Sequence, residues 1–322
     1  LDKSSECEGR SDESSKEGRG IDWKIIKGGS FPPYWRKGGF SIKRILFVLP
    51  LTIFLGFIMT YSFVSTINIS LREVFLGYLK EAPFVGFKNF ISVLTSKDFW
   101  HSMKFSLIFG LLTTLVETTL GFLIAYFYYS YFKNSRFFLT LFILPMMMAP
   151  SLFGLMNRIL FNNFIGLIPG YLYTFFGIDI DFFSNKNIIG TLVLIDVLQW
   201  TSFIVIILYA ALMSVPVSFI EAAKIDGASS KDILQRIIIP YITPSLITAA
   251  FLRFIESFRV FDTIYVLTGG GPGNLTTSVS IYIYKMGFSM GMQGIASAAS
   301  LILFSIMLLP AFISVKMIIR RW

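Results

Sequence analysis

Long apolar runs, each closed by charged or polar residues, set the pattern of this chain. From Ile45 to Leu71 no charged residue occurs, and a run of that kind meets the ~20 apolar residues a helix needs to cross a bilayer. A first spanning helix is predicted there, ending near Thr66, because Asn68 and Ser70 then make the sequence polar. A polar excursion follows, to about His101. Further spans are predicted between Lys104 and Lys133, between Arg136 and Arg158, from Ile188 to Leu212, from Pro240 to Val266 and from Ala296 to Val315. The expected fold class is therefore an all-α integral membrane protein with six transmembrane helices.

Sidedness follows from the positive charges. The tight turn Tyr131–Arg136, with Lys133, belongs on the cytoplasmic side, as do Lys224, Lys231 and Arg236 and the closing Lys316, Arg320 and Arg321. Six spans with both termini inside satisfy that asymmetry. The run from Ile159 to Ile178 also lacks charge apart from its flanks, but Asn162, Asn163, Gly166, Pro169 and Gly170 interrupt it. Every broken backbone hydrogen bond in hydrocarbon needs an internal partner, so a short external or interfacial segment is expected instead of a seventh span. Residues 1–44, rich in Ser, Gly, Lys and Glu, read as a flexible cytoplasmic tail ahead of a six-helix transmembrane domain over 45–322.

Composition agrees and removes other classes. Hydrophobic residues make up 54% of the chain, charged ones only 15%, and the mean hydropathy is +0.69, more apolar surface than a globular core of this size buries. The net charge of +9 sits at the ends of apolar runs instead of along a basic stripe, which argues against nucleic acid. Cys7 and His101 are the only residues of their kinds, so neither a disulfide framework, a metal cluster nor a Cys/His catalytic pair is expected. The first apolar run follows a long polar stretch and is read as an anchor, not a cleaved signal.

The segment Pro216 to Pro240 then falls in the cytoplasm and reads as two short helices with a sharp bend. Ser218 can cap the first, Gly227 can end it in the left-handed conformation, and Ser229 with Asp232 can start the second. Phe219, Ile220, Ala222 and Ala223 give the first helix a face with small residues at its centre. So short a helix is marginal in water and needs a docking surface, which points to a cytoplasmic protein partner.

Glu221-Ala222-Ala223, Asp226-Gly227-Ala228, Ile237 and Pro240 resemble the EAA loop of binding-protein-dependent ABC importer permeases. The resemblance implies the type I importer permease fold and a coupling helix, with Glu221, Ala222, Ala223, Asp226, Gly227 and Ala228 seated on a separate ATPase. Leu267 to Asn274, containing Gly269-Gly270-Gly271-Pro272, together with Thr276-Thr277 and Tyr282-Ile283-Tyr284, is similar to the external loop of the sugar-importer branch. Leu144-Pro145, Gln199-Trp200 and Phe258 to Val266 fit the same branch; Met156-Asn157 departs from it where a Trp is frequent. The glycines are not a phosphate loop, since no Gly-Lys-Ser/Thr follows. The resemblance implies two ATPase subunits holding ATP and magnesium, a second related permease, an extracytoplasmic solute-binding protein, residence in a bacterial cytoplasmic membrane, and no catalysis by this chain.

Charges inside the spans are the remaining signal. Arg253, Glu256 and Arg259 are expected near one face of the fifth span, where each mid-membrane charge costs ~3 kcal/mol, so that face cannot look at lipid. They either line a solute path or form an ion-paired ladder that locks helices. Gln199 joins them as a path candidate; Glu117, Asp196 and Asp262 read equally as packing contacts. A secondary transporter would call for two related halves, and a membrane transferase for a carboxylate or histidine cluster at the water boundary. Neither pattern stands out, and neither explains the EAA-like loop.

Overall fold

The structure, a computed structural model, describes residues 42–76, 82–132 and 136–319. The tail over 1–41, the turn residues Lys133–Ser135 and the closing Arg320 and Arg321 lie outside the described residues. Packing divides the chain into two units, Leu1–Tyr61 and Ser62–Trp322. The architecture is helical: among the described residues the only strand-like pairings are two isolated bridges, Arg72 with Phe84 and Phe75 with Met292.

Helix α1 covers Ile42–Ser70. It runs one turn past the predicted end at Thr66 because its polar residues find local partners: Ser70 donates to the Ile67 carbonyl at 2.7 Å, and Asn68 accepts from Arg72 Nε at 2.8 Å. The polar excursion is structured by a short helix, α2 (Lys88–Thr95), whose Asn89 amide donates to the carbonyls of Ser70 and Arg72. Helix α3 (Lys97–Tyr131) starts earlier than expected, because Ser96 caps it by accepting from the Phe99 N–H and Asp98 lies in its first turn.

The third predicted span is broken. It consists of α4 (Arg136–Met147) and α5 (Pro150–Leu160), which meet at 95°. Pro145 lacks an N–H and Pro150 suits a helix start, so the backbone opens between them. Its freed carbonyls are met from α7 (Ile188–Met213): Gln199 Nε2 donates to Met148 at 3.1 Å and the Ser202 hydroxyl donates to Phe142. Between them α6 (Leu167–Phe176), only 10 residues, is too short to cross a bilayer, in keeping with the interrupted sequence there.

After α7 come α8 (Val217–Ile225) and α9 (Ser230–Ile233), a π-helical turn over Leu234–Ile238, and α10 (Ile239–Phe258). The expected second short helix is thus the start of one helical run, since Pro240 occupies an early position of α10 where its missing N–H is tolerated. Helices α11 (Asp262–Thr268), α12 (Val279–Tyr284) and α13 (Gln293–Ile319) complete the chain, a second π turn over Lys285–Ser289 following α12. Among the described residues, four helical stretches can cross a membrane by length and composition, five with the bent pair; α13 is 27 residues long, of which Gln293–Leu308 is a shorter apolar stretch.

Helices α3, α7 and α10 form the centre. One apolar cluster joins Phe105, Phe109, Leu192, Ile195 and Ile264, and another joins Ala125, Ile204, Leu208, Leu212, Ile242 and Ala249. Gly121 permits the approach of α3 to α7: a Cβ there would lie 2.6 Å from Ile204 Cγ2.

Candidate functional site

Where the two clusters meet, each of the three central helices contributes a charge. Arg253 of α10 donates through Nε to Glu117 Oε2 at 2.5 Å and through one Nη to Glu117 Oε1 at 2.8 Å, a bidentate pair with α3. The same Nη donates to Asp196 Oδ2 of α7 at 2.5 Å. All three side chains are buried, Glu117 completely. The indole of Trp200, one turn along α7 from Asp196, lies 5.1 Å from the guanidinium carbon, a cation–π contact. Isolated charges in this setting are prohibitively costly, and a fork-shaped guanidinium between two carboxylates satisfies them together.

Beside the triad opens a cavity of about 440 Å³ whose wall includes Asp196, Trp200, Arg253, Glu256, Arg259 and Asp262. Glu256 and Arg259 pair with each other at 2.7 Å and remain 48% and 59% exposed. The expectation that Arg253, Glu256 and Arg259 share one face is corrected here. Six residues rotate a helix through about 600°, leaving the two arginines ~120° apart, and α10 ends at Phe258. All three reach the cavity, but Arg253 does so from its buried edge, held by Glu117 and Asp196 instead of Glu256.

Gln199 does not line that cavity: fully buried, it holds the bend carbonyl of Met148, and its Oε1 has no hydrogen-bond partner. Sequence reasoning treated Glu117 and Asp196 as unrelated. The available signal was that three spans each carry an interior charge, two acidic and one basic, which only mutual pairing can satisfy.

On the far side of α7, the segment resembling the EAA loop folds as foreseen in its bend and differently in its faces. Gly227 adopts φ +79°, ending α8, and the Ser229 hydroxyl accepts from the Asp232 N–H at 3.2 Å to start α9. Ser218 caps nothing; the residue ahead of α8 is Pro216, with no side-chain cap. Ile220 and Ala223 turn inward and, with Ala228, pack on the α7–α10 cluster. Val217, Phe219 and Ile225 face outward, as do Glu221, Ala222 and Asp226, so no residue of α8 is buried. The inward pair fixes the helix to the bundle, and the outward apolar residues lack a cover among the described residues.

The glycine-rich loop is bonded to itself. Thr268 accepts from the Gly270 N–H, Thr277 donates to the Gly270 carbonyl at 3.0 Å, and Thr276 donates to Gly271 at 2.6 Å, with Gly269, Gly270 and Gly273 at positive φ and Pro272 on the rim. Asn274 reaches Asp98 at the start of α3 at 3.2 Å. The threonines thus satisfy one amide and two carbonyls of the turn. Among the described residues no group of His, Cys, Asp and Glu is arranged to hold a metal ion.

Comparison with known proteins agrees with this architecture. The trehalose/maltose transport system permease protein MalF of Thermococcus litoralis is 34% identical over 272 residues, covering 82% of this chain and 89% of that protein. Among solved structures, a bacterial ABC transporter involved in the import of the acidic polysaccharide alginate superposes with a TM-score of 0.75 at 21% identity, over 87% of this chain and 97% of that one. The bacterial alginate ABC transporter in complex with an alginate pentasaccharide-bound periplasmic protein gives 0.73 at 20% identity, over 91% and 95%. Residues 117–322, which carry the triad, the cavity and the α8 loop, match the family described as binding-protein-dependent transport system inner membrane component. This chain belongs to that family: it is a permease subunit of an ABC importer.

Proposed function

We propose that this chain forms part of the path for a carbohydrate across a bacterial cytoplasmic membrane, with α8 as the coupling helix that a separate ATPase moves. The observation that carries the reading is the arrangement of α8 itself: an exposed apolar helix, anchored from beneath by Ile220 and Ala223, strung between the two helices that bear Asp196 and Arg253. Glu221, Ala222, Ala223, Asp226, Gly227 and Ala228 set the shape and docking face of this element. Two ATPase subunits would hold ATP and magnesium, and this chain itself would hold neither.

Glu256 and Arg259 support the path. Side chains this exposed and this charged do not face hydrocarbon, so they border water, solute or a second, related permease. Together with Arg253 and Trp200 they offer one carboxylate and two guanidiniums that can bind hydroxyls, and an aromatic face, the chemistry suited to a sugar. Carbohydrate as the cargo class is further supported by the relatives, which are named for trehalose and maltose and for alginate. A solute-binding protein is the expected donor at the outer face, where the Gly269–Pro272 loop lies if the positive charges face inward, with six spans and both termini in the cytoplasm. The ion-gradient alternative finds no support among the relatives.

The test is ATP hydrolysis by the complete importer in liposomes, with its binding protein and a panel of sugars, comparing the wild type with Gly227→Pro. Proline cannot adopt φ +79° and removes the N–H that donates to Lys224. Sugar-stimulated hydrolysis in the wild type, with the stimulation lost in the variant, is the expected result. Transport of solute by this chain without any ATPase would overturn the reading.

A further inference from the structure

The two carboxylates that hold Arg253 are not equivalent. Glu117 takes two hydrogen bonds, is wholly buried and lies behind the cavity wall. Asp196 takes one from Arg253, through an Nη that also serves Glu117, touches the Glu117 carboxyl, and borders the cavity. The packing of their helices differs in the same sense. Among the three pairings of the central helices, α3 with α7 is the most extensive, α3 with α10 is next, and α7 with α10 is the thinnest. Helix α8 connects those two least-packed helices, the end of α7 leading into it and α9–α10 leading out. Next to α8 they are tied by Tyr241, whose hydroxyl donates to the Ser214 carbonyl at 3.2 Å, so a push on α8 acts across that seam.

We infer that Asp196 is a positioning residue for coupled transport: its bond to Arg253 is the contact that opens and closes between α7 and α10 during the cycle, while Glu117 keeps Arg253 fixed to α3 throughout. This rests on the reading of α8 as the coupling helix. Arg253 never becomes an unpaired buried charge in this scheme, because its bidentate partner stays. Releasing Asp196 parts one shared hydrogen bond from Arg253 and the contact with the Glu117 carboxyl, and it exposes the Asp196 carboxyl on the cavity wall, next to Trp200. The cavity therefore changes its polar lining in the same movement that shifts α7 against α10.

Two measurements on the complete importer test it. In liposomes, Asp196→Asn is expected to lower solute moved per ATP hydrolysed by about tenfold, a coupling loss within the usual allosteric range, with hydrolysis no longer dependent on loaded binding protein; Asp196→Glu restores the ratio. Glu117→Gln is expected to reduce the yield of assembled complex instead. If Asp196→Asn only lowers yield and leaves transport per ATP at the wild-type ratio, the inference falls.

Independently of how those variants fold, spin labels at the exposed positions Leu194 of α7, Leu252 of α10 and Leu115 of α3, placed in a chain whose Cys7 is replaced by Ser, report the distances directly. A change in the α7–α10 distance between the nucleotide-free and ATP-bound importer, with α3–α10 constant, supports it; constant α7–α10, or equal change in both, overturns it. Absence of any solute-stimulated hydrolysis in the wild type is the separate outcome that removes the coupling-helix reading itself, and the inference with it.

Discussion

Arg253 and Arg259 stand six residues apart on one helical run and live in different solvents. Arg253 is 2% exposed and shares two carboxylates from two other helices; Arg259, at the end of α10, is 59% exposed and pairs only with Glu256 one turn back. The first joins segments separated by 136 and 57 residues in sequence, the second by three. A buried pair broken on one side leaves a stranded charge, whereas an exposed i,i+3 pair has water to fall back on. Spacing along a helix therefore says which charges are neighbours, but the surrounding helices decide which one carries the structure.

The comparison breaks most sharply at Glu117. Replacing it with Ala removes two charge-assisted hydrogen bonds and leaves Arg253 on Asp196 alone, with an expected loss of about 3–5 kcal/mol, visible as a lower unfolding temperature and poor recovery of monodisperse protein in detergent. Gly121→Leu is expected to cost about 1–3 kcal/mol by overpacking, since even its Cβ would meet Ile204 at 2.6 Å; adding Ile204→Ala should restore much of the loss. If Gly121→Leu proved harmless, the approach of α3 to α7, and with it the geometry that brings Glu117 and Asp196 onto one guanidinium, would be looser than described. The smallest effect belongs to Arg259→Ala, expected to alter stability by no more than ~1 kcal/mol while changing the sugar concentration for half-maximal transport. A large destabilisation there would erase the distinction between the two arginines.

Much of the fold was legible. Uninterrupted apolar runs located the four helical stretches long enough to cross a bilayer among the described residues, and the EAA-like residues located α8, the glycine that ends it and the serine that starts α9. Each of those signals is local, carried by a few consecutive residues whose chemistry does not depend on what lies opposite. What stayed hidden was set by contacts between distant segments. Pro145 and Pro150 hinted at a break, but the 95° bend depends on Gln199 and Ser202 of another helix being there to receive the freed carbonyls. The bond of Gln199 to the Met148 carbonyl was hidden for the same reason, since a glutamine in a span looks the same whether it meets solute or a backbone. The inward turn of Ile220 and Ala223 was equally invisible, because a face of small and apolar residues suits an outside partner as well as the underside of a bundle.

Helix α10, in the run that follows α8, has 20 residues and is therefore about 30 Å long. It is flanked by a π-helical turn at one end and by the break at Arg259–Phe261 at the other, so it has the mechanics of a rod between two joints. Pivoted at the end next to the π-helical turn, such a rod needs to tilt by only about 5° to carry its far end through almost 3 Å. That is the length of a single hydrogen bond, so a small tilt of α10 together with α3, against α7, is enough to part Arg253 from Asp196 and leave its bond to Glu117 in place.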